Sequence, residues 1–290
     1  MAVQDKAVAG GKNVMQGQDW AGDMGQKWNR YLQQFENMIA PIGDATLKLA
    51  ALQQGERVLD IGCGGGNTTL QIAAQVGARG EAVGLDISQV LVETAKQRAR
   101  EAGMAQAHFA CVDAARATLS RTGFDVLFSR FGVMFFNDPV AAFRNLHGML
   151  AAPARIAFCC WAAPGENPWV ARQSEIIARH VTLPPPDPTA PGPFAFADQA
   201  RTRGILEQAG FRDVQFVPWR GAQLIGGPGQ TAESAADFAM KAFFVGDAVV
   251  NQPESVRQAV QQEVIELFRQ HQTEQGVALD ATAWLVSARC

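Results

Sequence analysis

The sequence is sparing with charge. Of its 290 residues, 18% are Asp, Glu, Lys or Arg, below the ~25% usual for a soluble domain, and the formal net charge is −3. No block of Lys and Arg stands out, so the electrostatic footprint of a protein that grips a phosphate backbone is missing. That argues against a nucleic-acid substrate. The five cysteines (Cys63, Cys111, Cys159, Cys160 and Cys290) contain no C-x-x-C pair and read as buried free thiols in a reducing compartment. No apolar run approaches the ~20 residues that cross a bilayer, and the first twenty residues lack the apolar stretch of a signal peptide. The expectation is a soluble, cytoplasmic protein with no membrane span.

What the chain does have is a core. Hydrophobic residues make up 48% of it, over a length suited to one large α/β domain with insertions. Strands at 57–61, 81–86, 106–112, 124–129 and 154–161 alternate with helices near 67–77, 88–102 and 139–150. That alternation predicts a parallel sheet covered on both faces. Ser88 is placed to cap the second of these helices and Gly103 to stop it. Helix 198–209 and strands 212–219 and 279–289 complete the pattern. Residues 1–20 read as loosely ordered. Residues 24–52 read as helices, with Trp28, Tyr31, Leu32, Phe35 and Ile39 in one stripe; that stripe either docks on the core or covers a ligand.

Two segments break the regularity. Residues 163–197 hold eight of the fourteen prolines and cannot form one continuous helix. Residues 221–278 run through a Gly-Gly-Pro-Gly turn into helical stretches at about 232–245 and 253–272. Ligands of open α/β sheets bind at the carboxyl edge, so both segments are candidate lids. The expected organisation is an N-terminal helical segment 1–52, a core 53–220 with a proline-rich lid 163–197, a helical cap 221–278 and a final core strand 279–290. The cap could equally contact a second subunit, as in a homodimer.

The richest local signal is Val58-Leu59-Asp60-Ile61-Gly62-Cys63-Gly64-Gly65-Gly66-Asn67, followed by Val83-Gly84-Leu85-Asp86. It reads as a buried strand, a glycine turn opening a helix, and a second strand ending in an acid. Glycines let a ligand approach the backbone, and the helix behind them presents free N–H groups. An acid ending the next strand suits a ribose diol. The dinucleotide fingerprint needs a third glycine where Asn67 stands. Asp60 would repel a pyrophosphate but could hold an ammonium group. Both facts disfavour a nicotinamide oxidoreductase.

The pattern Asp60-x-Gly62-x-Gly64-x-Gly66 resembles motif I of class I S-adenosylmethionine-dependent methyltransferases. The resemblance implies a Rossmann-like, seven-stranded methyltransferase sheet with helices on both faces. It implies S-adenosylmethionine as cofactor and S-adenosylhomocysteine as product. The turn would pack on the cofactor's amino-acid end, Asp86 would take the ribose, and Asp113 and Ala114 would lie beside adenine. Cofactor contacts are carried over to Asp60, Gly62, Cys63, Gly64, Gly66, Asn67, Thr68, Asp86, Ile87, Asp113, Ala114, Ser129 and Arg130. The stretch Ser129 to Phe136, with Trp161, Glu166-Asn167-Pro168-Trp169, Pro193 to Asp198 and Ala209-Gly210-Phe211, resembles a bacterial small-molecule group near the ubiquinone/menaquinone-type enzymes. Ala152-Pro153-Ala154 stands where that group has a Pro-Gly-Gly turn, which predicts a local loop change.

Ser129-Arg130-Phe131-Gly132 lacks the Asn/Asp-Pro-Pro-aromatic motif of base N-methyltransferases and the Pro-Cys of cytosine C5 enzymes. No acidic cluster suggests a metal. Alignment and desolvation of a nucleophile can contribute ~7–11 kcal/mol, more than the ~3–5 kcal/mol of a general base, so no obligatory catalytic residue is expected. Candidate bases are His180 in the proline-rich lid, His147 after the fourth strand, and Tyr31. Arg130 could steer an anionic substrate group or pair with a neighbouring carboxylate. Trp28, Phe131, Met134, Trp161, Trp169, Phe194 and Phe196 are candidate walls of an apolar substrate pocket, with Phe135, Phe136, Phe243 and Phe244 as further aromatics nearby. The reaction expected is methyl transfer to a small, hydrophobic or aromatic metabolite. The alternatives are sulfonium-promoted cyclisation, rearrangement or decarboxylation, and a catalytically silent cofactor-binding partner.

Overall fold

The computed structural model describes residues 17–120 and 122–290. The loose order expected for residues 1–20 falls outside them up to residue 16; the last four are instead helical. The elements run α1 (Gly17–Ala21), α2 (Asp23–Arg30), α3 (Leu32–Ala50), β1 (Arg57–Ile61), α4 (Asn67–Val76), β2 (Glu81–Asp86), α5 (Gln89–Glu101), β3 (Ala107–Cys111), β4 (Phe124–Arg130), α6 (Pro139–His147) and β5 (Leu150–Trp161). They continue with α7 (Pro168–His180), α8 (Gln199–Gln208), β6 (Arg212–Leu224), α9 (Ala232–Ala242), α10 (Phe244–Val249), α11 (Glu254–Gln270), β7 (Gln272–Thr273) and β8 (Gly276–Arg289).

The strands lie in the order β3-β2-β1-β4-β5-β8-β6, with β7 paired to β8 outside this path. The first five are mutually parallel, and β8 runs antiparallel between β5 and β6. This is the expected seven-stranded sheet with one addition, the two-residue β7. The two antiparallel-paired C-terminal strands are longer than their apolar patterning suggested: β6 reaches Leu224 and β8 starts at Gly276. Ala152-Pro153-Ala154 lies within β5, where the register against β4 slips between Phe124 and Val126.

Alternation along the strands assigns the two faces. Leu47 and Ala50 of α3, Ile72, Ala73 and Val76 of α4, and Ala99 of α5 share one apolar layer with Val58, Val126, Phe128 and Ala157. Ile156 and Phe158 point the other way, where Phe143 of α6 packs between Phe158 and Phe196. Local chemistry sets the helix ends. Asp138, Asp198 and Thr231 accept from the amides of Ala141, Arg201 and Ser234, each three residues ahead, as N-caps do. Ser88 corrects an expectation: it sits at the N-cap of α5 but its hydroxyl makes no cap bond and lies against Gly25 of α2. Gly103, at φ 63°, stops α5 as expected.

Candidate functional site

At the carboxyl end of β1 the chain turns through Gly62, Gly64 and Gly66 at φ 68°, 54° and 82°. The amides of Gly62 and Cys63 both donate to Leu85 O, at 2.8 and 3.1 Å, which pins the turn to β2. Asp86 completes the attachment: Gly64 N–H donates to its Oδ2 at 2.8 Å and Ser88 N–H to its Oδ1 at 2.9 Å. Burial raises the Asp86 pKa and these amides oppose the rise. Each carboxylate oxygen keeps capacity for a second donor.

The glycines of the turn are not equivalent. A Cβ on Gly62 would lie 2.7 Å from Gly132 Cα, on Gly65 2.5 Å from Leu32 Cδ2, and on Gly66 2.8 Å from Ala95 Cβ. Those three are glycine because protein packs against them. A Cβ on Gly64 would meet nothing closer than Trp28 Nε1, at 3.9 Å. The turn thus offers bare backbone beneath an indole at one position.

Carboxylates and guanidinium groups alternate around it. Asp60 is fully buried; Thr68 and Thr69 both donate to its Oδ2, at 3.1 and 2.6 Å, and Oδ1 has no partner. Burial pushes its pKa up to about 6, against the pull of the two threonines and Arg130. Arg130 lays its stem against Gly43 of α3 and donates from Nη1 to Asn67 Oδ1 at 3.3 Å. Burial lowers its pKa, and Glu36 and Asp60 oppose that. Arg98 of α5 donates to Glu36 Oε1 at 2.7 Å and to Gly65 O at 3.0 Å. Glu36 and Arg98 were not among the expected site residues. The available signal was an acid at position 36 inside the apolar stripe of α3, which asks for a buried partner.

Other cofactor candidates divide by what their side chains do. The Cys63 side chain is buried against Gly84, so only its backbone faces the turn. Ser129 donates to Ile61 O at 2.7 Å and accepts from Gly132 N–H at 3.1 Å; it ties β4 to β1. Ile87 follows Asp86, and its carbonyl accepts from Cys111 Sγ at 3.5 Å. Asp113 is exposed, with Oδ1 taking the Ala115 amide at 3.0 Å. Ala114 is buried beside it, and its carbonyl accepts from Asn145 Nδ2 at 3.3 Å.

Beyond the turn the walls are aromatic. Phe131, at φ 61°, stacks on Trp161 at 4.3 Å, Trp161 meets Trp169 at 5.1 Å, and Trp169 meets Phe243 at 5.7 Å. Phe243 reaches Phe35, on which Trp28 stacks at 3.9 Å with rings 4° from parallel. Trp28 touches Trp20, and Trp20 touches Phe135. Met134 is buried next to Phe135. These contacts run as a circuit from β4 through β5, α7, the start of α10, α3, α2 and α1, back to the 3-10 turn after β4. Phe194 is half-buried against the core. Phe196 belongs elsewhere: it is 1% exposed and packs on Phe143 and Phe158, on the α6 side of the sheet.

The candidate bases are dispersed. His180 Nε2 lies 2.6 Å from Glu263 Oε1, joining α7 to α11. His147 sits edge-on to Phe211, and Tyr31 edge-on to Phe238 of α9. Among the described residues no group of His, Cys, Asp and Glu is arranged to hold a metal, and no helix is long and apolar enough to cross a membrane.

Residues 52–182 match the family model described as Methyltransferase domain. An aklanonic acid methyltransferase of Streptomyces sp. (strain C5) is 32% identical over 120 residues, 41% of this chain and 54% of that protein. A 23S rRNA (uracil(1939)-C(5))-methyltransferase of Acinetobacter baumannii (strain AB0057) is 37% identical over 101 residues, 32% of this chain and 22% of that protein. A demethylmenaquinone methyltransferase of Listeria welshimeri is 24% identical over 124 residues, 43% of this chain and 52% of that protein. The chain therefore spans about half, or less, of the curated relatives it matches. Among solved structures, the YcgJ protein of Bacillus subtilis shares the fold at TM-score 0.56 and 19% identity, over 85% of this chain and 97% of that one. The stretch that carries the glycine turn, residues 52–182, is thus similar to methyltransferase domains.

Proposed function

We propose that the chain transfers a methyl group from S-adenosylmethionine to a small, hydrophobic or aromatic metabolite. The observation that carries this reading is Gly64, whose bare backbone faces Trp28 while the glycines around it are filled by protein. The acids beside it fit a cationic ligand. Asp86 offers two oxygens to a diol, already oriented by the amides of Gly64 and Ser88. Asp60 places a carboxylate, with one oxygen uncommitted, where a pyrophosphate would be repelled and an ammonium group favoured. Bound there, S-adenosylmethionine would supply an activated methyl group with a neutral leaving group.

The protein's own part is to align and to exclude water. Phe131 and Trp161 flank the end of β4, next to the turn. The lid helix α7 and the α9–α10 region bring Trp169, Phe238 and Phe243 over the carboxyl edge. An apolar acceptor held against such walls loses its hydration and most of its rotational freedom, which is where the rate advantage of orientation comes from. His180, His147 and Tyr31 are each engaged at helix contacts, so we assign none of them as base. The rRNA-directed relative aligns over 101 residues, 22% of its own length, so its substrate is not carried over to this chain. The low charge and the aromatic walls favour a small acceptor, as do the names aklanonic acid and demethylmenaquinone methyltransferase among the relatives.

Thermal unfolding with S-adenosylmethionine, S-adenosylhomocysteine, NAD and NADP tests the cofactor. A ligand at one hundred times its dissociation constant adds ~2.7 kcal/mol, a rise of several degrees. The two sulfur ligands alone should give it. Asp86→Ala should lower their affinity by about 100-fold or more, since two hydrogen bonds to a charged group are lost at ~1.5–3 kcal/mol each. A rise with NAD alone, or none with the sulfur ligands, would overturn the reading. Competition by hydrophobic quinols but not by sugars is the expected result for the acceptor.

A further inference from the structure

Two glutamines are buried along the aromatic wall, and among the described residues three of their four side-chain polar atoms have no partner. β5 ends at Trp161, opposite Ala283 of β8. β6 and β8 stay paired beyond that point, through Gly221 and Ala281 to Gln223 and Leu279, about four residues or ~13 Å past the end of β5. The register is unbroken from Gln215 to Leu224, so Gln223 projects from the same face as Trp161 and Trp219. A Cβ on Gly221 would lie 2.9 Å from the Trp219 indole; the ring runs along the strand over Gly221, in the direction of Gln223. Gln223 is 1% exposed, and neither its Oε1 nor its Nε2 has a hydrogen-bond partner. Exchanging the two ends of the amide changes nothing, since both positions are unpaired. On the lid helix α7, Gln173 follows Trp169 by one turn and shares its buried face. Its Nε2 donates to Trp169 O, and its Oε1 is unpaired. Buried polar atoms are ordinarily paired, because an unpaired one keeps its full desolvation cost.

We propose that Gln223, with Gln173 on the lid, is the polar end of the methyl-acceptor site. It selects an uncharged molecule that presents a hydrogen-bond donor and a carbonyl side by side, as a carboxamide or a hydroxy-ketone does. A primary amide offers one oxygen to accept and two N–H groups to donate, so such an edge satisfies both ends of Gln223 at once. A hydrocarbon would leave both ends bare. A carboxylate would pair with Nε2 but set its second oxygen against Oε1. The rings of Trp161 and Trp219 hold the apolar body, and the Gln173 oxygen takes a further donor from the lid side. This inference rests on the reading of the chain as a methyltransferase for a small apolar molecule, and says which polar group that molecule carries.

Three naphthalenes with one ring system and different edges test it: 2-naphthamide, 2-naphthoate and 2-ethylnaphthalene. Their binding to the protein saturated with S-adenosylhomocysteine is followed by ligand-observed NMR. Wild type should take the amide about 10-fold more tightly than the hydrocarbon, the value of two neutral hydrogen bonds, and more tightly than the carboxylate. Gln223→Met keeps the length of the side chain and removes its polar atoms; the preference for amide over hydrocarbon should fall within about threefold of unity. The thermal midpoint of the same variant should rise, because an unpaired buried amide is replaced by an apolar group. Gln173→Met should reduce the preference by less, since only its oxygen is free. Equal affinity for amide and hydrocarbon in wild type, tightest binding of the carboxylate, or binding of none of the three overturns the proposal. So does Gln223→Met with a lower midpoint and an unchanged preference, the signature of a structural amide. In each of these cases binding of S-adenosylhomocysteine leaves the methyltransferase reading standing, and its failure to bind wild type would overturn that reading instead.

Discussion

The carboxyl edge of the sheet is built in two ways. Over β1, β2 and the start of α4 it is made of backbone: amides and glycines within Gly62–Asn67, with Asp60 and Asp86 as the charged ends. Over β5, α7 and the α9–α10 region it is made of large rings, stacked from Phe131 through Trp161 and Trp169 to Phe243. The first half gains precision from hydrogen bonds of 2.8–3.1 Å between neighbouring strand ends. The second gains shape chiefly from packing, with Trp169 Nε1 donating to Asn167 Oδ1 at 3.1 Å. A backbone site suits a ligand that never changes, and a wall of side chains suits one that differs between relatives.

If the two halves are independent, cutting into the aromatic wall should cost stability and leave the cofactor alone. Trp161 is 6% exposed and touches both Phe131 and Trp169. Trp161→Ala should destabilise the protein by about 3–5 kcal/mol, the usual cost of deleting a buried aromatic. Affinity for S-adenosylhomocysteine, titrated well below the new midpoint, should change less than about threefold on the logarithmic affinity scale. The milder Trp161→Phe should show the same separation with a smaller loss. A tenfold drop in cofactor affinity in either variant would mean that the wall and the turn are one unit.

The backbone half offers a different handle, the charge of Asp60. Its pKa is raised to about 6 from an ordinary 3.8, so the folded state holds the proton more tightly than the unfolded state. The cost of ionising it is absent below the unfolded value, builds as pH rises, and is complete above about 6. At ~1.36 kcal/mol per unit this is on the order of 3 kcal/mol. Asp60→Asn keeps an oxygen for Thr68 and Thr69 to donate to, and removes the charge. In urea unfolding it should gain about 2 kcal/mol relative to wild type at pH 7.5 compared with pH 4.5, where part of the cost is already present. The same difference at both pH values would show that Asp60 titrates normally. The variant should still bind S-adenosylhomocysteine more weakly, because the negative end of the turn is gone.

The contrast also explains what could be read from the sequence. The backbone half is contiguous: Asp60, the three alternate glycines and Asp86 fall within 27 positions of one another, and each strand and turn that holds them is encoded locally. The wall draws on positions 20, 28, 35, 131, 161, 169 and 243, and nothing local says which rings meet. Phe196 lies in the same proline-rich segment as Trp169 but points to the other side of the sheet. Ser129 sits where a ligand contact was expected and spends its hydroxyl between Ile61 and Gly132. Ser88 has the right residue type for a cap, but its amide is taken by Asp86 and its side chain faces Gly25. In each case residue type was legible and direction was decided by packing between distant elements.

Besides the ring contacts that run from Trp28 through Phe35 to Phe243, an exposed ion pair links the halves. Lys27 Nζ of α2 lies 2.6 Å from Asp247 Oδ1 of α10, with the side chains 24% and 54% exposed. The pair joins the helices over the turn to the region over the aromatic wall. Glu36 and Arg98, with side chains 7% and 29% exposed and a shared bond to the turn, lie deeper and on the cofactor side only. An exposed pair contributes ~0–1 kcal/mol and is screened by salt. Lys27→Met should therefore lower the unfolding midpoint by less than a few degrees, with the difference vanishing in about 1 M salt. Its effect on S-adenosylhomocysteine binding should be undetectable. If the variant instead loses cofactor affinity, Lys27 and Asp247 couple the closing of the cap to the glycine turn, and the two halves work as a single clamp.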